Sequence, residues 1–167
     1  MYGLIFGLAH LKFNGVELGL ISEEGLQPAG TAPSTTDIYA AQKKDGPVVT
    51  LTTNPGKKAF TCTLIEMSAE SLEKTIGGTK DANNNWEPPE KWESTGVMDV
   101  VCDSGDTLRF FNAKVTGSDF ANGINSSGVL GLSLNIELLP DEDGKRLKKF
   151  APGVDPETGA PAVKPEE

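Results

Sequence analysis

Apolar and polar residues alternate along much of this chain. The clearest run is Val129 to Leu138. There Leu130, Leu132, Leu134, Ile136 and Leu138 fall on one side, and Val129, Gly131, Ser133, Asn135 and Glu137 on the other. A period of two predicts a half-buried antiparallel strand whose five large side chains enter the core. A hairpin is expected just before it, from Val97–Asp103 and Asp106–Val115 around Ser104-Gly105, where Gly105 can take the positive φ of a tight turn. Apolar positions change side after Phe110, which predicts a bulge near Phe110–Phe111. Further strands are expected at Leu11–Phe13, Val16–Ser22, Pro47–Thr53 and Ala59–Glu66. Asn14-Gly15 is a strong two-residue hairpin turn, and Asn54-Pro55-Gly56 a second turn.

One stretch breaks the alternation. In "LIEMSAESLEKTIGG" (64–78), Ala69, Leu72 and Ile76 recur at spacings of three and four. Ser68 is placed to cap the first turn, with Glu70 and Glu73 near the positive end of the helix dipole and Lys74 near the negative end. Gly77 is positioned to end the helix in a left-handed conformation. The pattern predicts one short helix over about 68–76, with Leu72 and Ile76 packed on a sheet. Such a helix is marginal alone and needs a surface beneath it.

Two long loops separate these elements. Residues 23–36, "EEGLQPAGTAPSTT", are small and rich in turn formers; residues 77–95 carry both tryptophans, Trp86 and Trp92. Loops this long in a compact domain are usually functional or disordered, and large aromatics normally find a surface to cover. The residues that stand out are Trp86, Trp92, Asp81, Asn83 and Asn85 in the second loop, and Glu24, Gly25 and Leu26 in the first. The organisation reads as an N-terminal arm (1–10), a β-rich domain (11–139) and a proline-rich C-terminal tail (140–167) without strand pattern. The tail holds five of the eleven prolines.

Composition adds limits. At 167 residues the chain suits one domain with a tail. Its net charge of −9 gives no support for binding nucleic acid through phosphates, which requires a basic surface. Two cysteines, Cys62 and Cys102, make no disulfide framework and read as small buried hydrophobes. No stretch reaches transmembrane length, and the apolar N-terminus lacks the charged region and cleavage site of a signal peptide. Asn125-Ser126-Ser127 matches a glycosylation sequon, read as chance without a secretory signal.

Catalytic patterns are absent from the sequence. His10 is the only histidine, which excludes a metal site built on several and leaves any triad dependent on one residue in an apolar run. Asp81, Asn83 and Asn85 imitate the start of a calcium loop. However, Trp86 stands at its glycine position and Trp92 at its final glutamate position, so a polar turn is the expected reading. No catalytic residue, metal or cofactor is expected, and the chain is not expected to be an enzyme.

The order of elements, with the segments "GVELGLISEEGL", "LIEMSAESLEKTIGG" and "GVLGLSLNIELLP", resembles the tail tube (major tail) proteins of tailed bacteriophages over about residues 10–140. Tubes of type VI secretion and contractile-injection systems are similar. The resemblance implies a mainly β subunit, an antiparallel β-sandwich or barrel-like fold with one short helix. It implies homohexameric rings that stack into a hollow conduit for DNA, with the two long loops bridging subunits, which makes Trp86, Trp92, Asp81, Asn83, Asn85, Glu24, Gly25 and Leu26 candidate inter-subunit contacts. The implied partners are further copies of the chain and other tail proteins (tape measure, tail tip, terminator), with a sheath as a further candidate. DNA would pass the lumen without specific binding. The implied location is the virion tail, after assembly in the bacterial cytoplasm. Alternatives are a decoration or baseplate component, or a β-sandwich that stacks sugars on Trp86 and Trp92.

Overall fold

A computed structural model describes residues 3–161. The strands are β1 (Leu8–Phe13), β2 (Val16–Glu17), β3 (Gln27–Pro28), β4 (Ser34–Ile38), β5 (Val49–Asn54) and β6 (Ala59–Leu64). After helix α1 (Ala69–Ile76) come β7 (Thr79–Lys80), β8 (Trp86–Glu87), β9 (Glu93–Cys102), β10 (Thr107–Ala121), β11 (Gly131–Leu139) and β12 (Leu147–Phe150). Among the described residues the chain is mainly β with one short helix, and its sheets are antiparallel and form no closed barrel. That is the class its period-two alternation predicts.

Eight strands make the main sheet, in the order β2-β1-β9-β10-β11-β6-β3. β12 lies beside β10 on the edge that β11 also uses, pairing with Thr107–Phe110 while β11 pairs with Asn112–Ala121. The two sheet ends are neighbours in sequence. Leu18 still donates its N–H to Leu11, whereas Ser22 donates to Thr63 and Leu20 accepts from Ile65. The segment after β2 therefore leaves the β1 edge and joins the β6 edge, linking the two ends of an open sheet. At the crossing sits Gly19, where a Cβ would lie 2.5 Å from the Glu66 carbonyl oxygen. The expected strand Val16–Ser22 is thus cut to two residues by this change of partner.

The inner face of the sheet carries the core. Leu11, Phe13, Met98, Val100, Phe110, Val115, Cys62 and Leu64 are buried together. Leu132, Leu134, Ile136 and Leu138 join them, as alternation predicts. Leu130 departs from that expectation: it precedes β11 and is only half-buried. The bulge forms where predicted. Phe110 pairs with Met98, but Ala113 pairs with Gly96, so β10 holds one extra residue between them. That extra residue lets Phe110 and Ala113 both point inward. It also marks the handover from β12 to β11, since Phe111 donates to Arg146.

Local turns follow from their residues. Asn14 (φ 51°) and Gly15 (φ 80°) both take positive φ, the requirement of a type I′ hairpin. Helix α1 begins at Ser68, whose hydroxyl oxygen accepts from the Ser71 N–H at 3.3 Å. Its Leu72 and Ile76 are buried, along with Ser71 and Thr75, which the apolar spacing did not include. Gly77 ends the helix with φ 86° and ψ −161°, not the left-handed helical form expected, but another region open essentially to glycine alone.

Three segments expected to lack strands contain them. The 23–36 loop holds β3 and the start of β4, and the 77–95 loop holds β7, β8 and the start of β9. The tail forms β12, where Phe150 is buried with the Lys148 ammonium 5.0 Å from its ring centre. The proposed arm, 1–10, overlaps β1 from Leu8 onward. Residues 1–2 and 162–167, the ends of the arm and tail, lie outside the described residues.

Candidate functional site

The most distinctive surface is the β4–β5 ribbon, which pairs with no other strand among the described residues. Its register sets Thr36 opposite Leu51 and Ile38 opposite Val49. Directly paired residues share a face, and so do residues two apart. One face therefore carries Ile38, Val49 and Leu51. The other carries Thr35, Asp37, Thr50 and Thr52, with the Thr50 hydroxyl donating to Asp37 at 2.6 Å. Both faces meet solvent, and Ile38, Val49 and Leu51 remain 45%, 43% and 48% exposed. Tyr39 and Val48, next to the loop that closes the ribbon, are more exposed still. The loop itself presents Lys43 and Lys44, followed by Asp45. At the ribbon's base, Thr31 and Lys57 exchange backbone bonds, and a Cβ on Gly56 would meet the Thr31 carbonyl at 2.6 Å. This junction fixes where the ribbon leaves the body.

A second feature is an apolar groove of about 690 Å³ at the linked ends of the sheet. It is lined by the N-terminal segment (Phe6, Leu8), the crossing segment (Leu20, Ile21, Leu26) and Phe60. The Phe60 ring stacks on Phe110, with centroids 5.6 Å apart and planes at 6°. Leu4, Phe6 and Leu20 stay well exposed nearby. The turn "EEGL" forms one wall: Gly25 takes φ 63° and donates to Ser22, Gln27 donates its amide to the Glu24 carbonyl, and Leu26 packs on the core. Glu23 and Glu24 point to solvent on its rim. Of the candidates in the first loop, Glu24 is thus a rim group, while Gly25 and Leu26 shape the wall.

The tryptophan loop folds back on its own chain. Trp86 and Trp92 pack against the chain's own core, edge to face at 6.2 Å, and Trp92 meets Phe120 at 5.5 Å. The Trp86 indole N–H donates to the Gly77 carbonyl at 3.0 Å. Both rings close the helix side of the fold and remain partly exposed there. Asp81 accepts from the backbone N–H groups of Asn83 and Asn85 and from the Asn85 side chain. These bonds, those from Asn85 first, hold its carboxyl below the usual carboxylate range. The carboxylate organises a polar turn and turns its oxygens to its own loop.

Elsewhere the titratable groups serve structure. Asp99 and Arg109 form a two-pronged pair on the outer face of the sheet, at 2.8 and 3.0 Å, and Arg109 also donates to the Pro156 carbonyl. Both side chains of that pair are largely buried. His10 lies 2.5 Å from Glu17 on the surface. Cys62 and Cys102 are free and buried, and burial pushes the Cys62 thiol up to about 12. Among the described residues no cluster of three or more His, Cys, Asp or Glu could hold a metal ion, and no helix is long and apolar enough to cross a membrane.

Sequence reasoning found the strand Pro47–Thr53 but missed its partner, β4. The signal was the β-branched run Thr35, Thr36 and Ile38, hidden between turn formers. No protein-family model matches the chain, and no curated protein matches its sequence.

Proposed function

We propose that the chain is a structural subunit that assembles with copies of itself into stacked rings, most simply hexamers, forming a hollow tube like those of phage tails. The observation that carries this reading is the amphipathic β4–β5 ribbon with its apolar face uncovered. An isolated two-stranded ribbon is marginally stable in water. One that keeps Ile38, Val49 and Leu51 in solvent gains stability when a partner covers them. The order of elements supports the tube in particular: an N-terminal hairpin, a projecting ribbon, one short helix and a final amphipathic strand. So does the acidic balance of −9, since a negative lumen repels DNA phosphates and lets the duplex slide. In this reading the protein resides in the virion tail and meets other tail proteins at the tube ends.

Size-exclusion chromatography with light scattering, followed by negative-stain microscopy across a concentration series, tests it. Rings or tubes are the expected result. A protein that remains monomeric at every concentration overturns the reading.

A further inference from the structure

We propose that the apolar face of the β4–β5 ribbon of one copy seats in the groove at the linked sheet ends of a second copy, with Lys43 and Lys44 set against Glu23 and Glu24. The proposal rests on the self-assembly reading above and names the two surfaces that would meet.

Three observations lead to this pairing. The first is apolar match. The ribbon presents Ile38, Val49 and Leu51 on one face, and the groove presents Phe6, Leu20 and Ile21 with space beside them. Both are uncovered in the single chain, and large exposed apolar patches mark interaction sites. The second is charge. Lys43 and Lys44 stand at the ribbon's closing loop, and neither makes an ion pair among the described residues; Lys43 donates only to the Pro47 carbonyl. Glu23 and Glu24 stand on the groove rim, equally without an ion pair. Opposite charges placed this way fix which end of the ribbon enters and steer the encounter. Asp45 offsets one of the two lysines, so the ribbon loop keeps a net positive charge.

The third observation is connection. Only residues 29–33 join β3, at the groove side of the sheet, to β4. Their backbone is held by the Thr31–Lys57 bonds and the close approach of Gly56. Among the described residues none of the ribbon lines the groove, so a second copy supplies the occupant. A small-molecule ligand is the weaker alternative. Ligand pockets place a few converging polar groups among apolar walls. Here Glu23 and Glu24 sit at the rim, Glu17 is already engaged by His10, and Ser22, whose buried hydroxyl has no partner, stands alone among the apolar walls rather than converging with other polar groups.

The test uses the full chain in four forms: wild type, Lys43→Glu/Lys44→Glu, Glu23→Lys/Glu24→Lys, and the fourfold exchange. Each one-sided reversal is expected to raise the concentration for half-assembly by about tenfold or more, and the fourfold exchange to restore it. Far-ultraviolet circular dichroism should be the same for all four. A Leu20→Cys/Leu51→Cys variant should, on oxidation, give disulfide-linked species of two chains and larger on a non-reducing gel. Wild-type assembly with no effect of either reversal overturns this pairing and leaves the self-assembly reading standing. Cross-linking confined to single chains assigns the groove to the chain's own ribbon and also overturns it. Wild type that never assembles removes the underlying reading, and the pairing with it.

Discussion

Ile38 and Val49 lie directly opposite each other in the β4–β5 ribbon, and both face solvent. Cross-strand aliphatic pairs normally stabilise a sheet by packing under a second layer. This pair has no second layer, so its contribution to the folded single chain is small. Val49→Asp should therefore leave folding intact, within about 0.5 kcal/mol, as for other surface substitutions. The same change puts a charge into any interface the ribbon makes, which is costly without a partner charge. Thermal melting unchanged from wild type, together with loss of the assembled fraction in light scattering, is the expected outcome. A melting temperature that falls by many degrees would show that the ribbon face already supports the single fold.

Leu134 marks the opposite case. It is 1% exposed at the centre of β11, where Gly117 of β10 and Cys62 of β6 pair on either side. Leu134→Ala removes buried methyl groups and leaves a cavity, at a cost of about 2–5 kcal/mol. Leu130→Ala should cost clearly less, because Leu130 lies outside the strand and is half-buried. Urea denaturation of the two variants gives the comparison directly. Equal costs would mean that the alternation extends to Leu130 after all.

The end of helix α1 offers a sharper contrast. Ser68→Ala loses one capping bond and should destabilise by about 0.5–2 kcal/mol. Gly78→Ala should do more. Gly78 has φ 97°, and a Cβ there would lie 2.4 Å from the Glu87 carbonyl and 2.7 Å from the Trp86 indole nitrogen. The strained φ alone costs about 1–3 kcal/mol for a residue with a side chain. The clash would also push Trp86 off the helix end, so near-ultraviolet circular dichroism should change with Gly78→Ala and stay constant with Ser68→Ala.

These residues also show what sequence could and could not reveal. Leu132 to Leu138 were legible because a strand with one wet face writes its burial as strict alternation. Ser68, Leu72 and Ile76 were legible because capping and helical spacing are local rules. The crossing at Gly19 was hidden, since "VELGL" alternates straight through the point where its bonding partner changes from β1 to β6. Strand β12 was hidden for another reason: Lys148 and Lys149 suit an edge strand, and their charge masks the single buried Phe150. The cover that the tryptophans give the chain's own core was hidden, because a long loop with large aromatics reads equally as an interface, and the contacts with Gly77 and Phe120 appear only in the fold. The ribbon, as the candidate site, needed the pairing register, because Ile38 and Leu51 share a face only once β4 is set against β5.

Asp106 yields a prediction about acid. It sits buried just before β10 and holds β12 in place through Lys149, 2.8 Å away, while Ser104 donates to its second oxygen. The bond from Lys149, ahead of that from Ser104, keeps its carboxyl below the usual carboxylate range. A lowered folded value means that the native state holds the proton less readily than the unfolded chain. Its stabilising contribution is therefore fully present above the ordinary carboxylate value and is lost as pH falls below about 4 toward the folded one. Asp81, lowered by its own loop, titrates with the same sign. Asp106→Asn should be less stable than wild type at pH 7, and the difference should shrink as pH drops toward 3. Lys149→Met should show the same convergence, because it removes the same pair from the other side. Hydrogen exchange at Leu147–Phe150 gives the local readout: in wild type these amides should lose protection below pH 4, and in both variants they should exchange faster already at neutral pH. If protection of β12 in wild type is constant from pH 7 to 3, the pair does not anchor the strand.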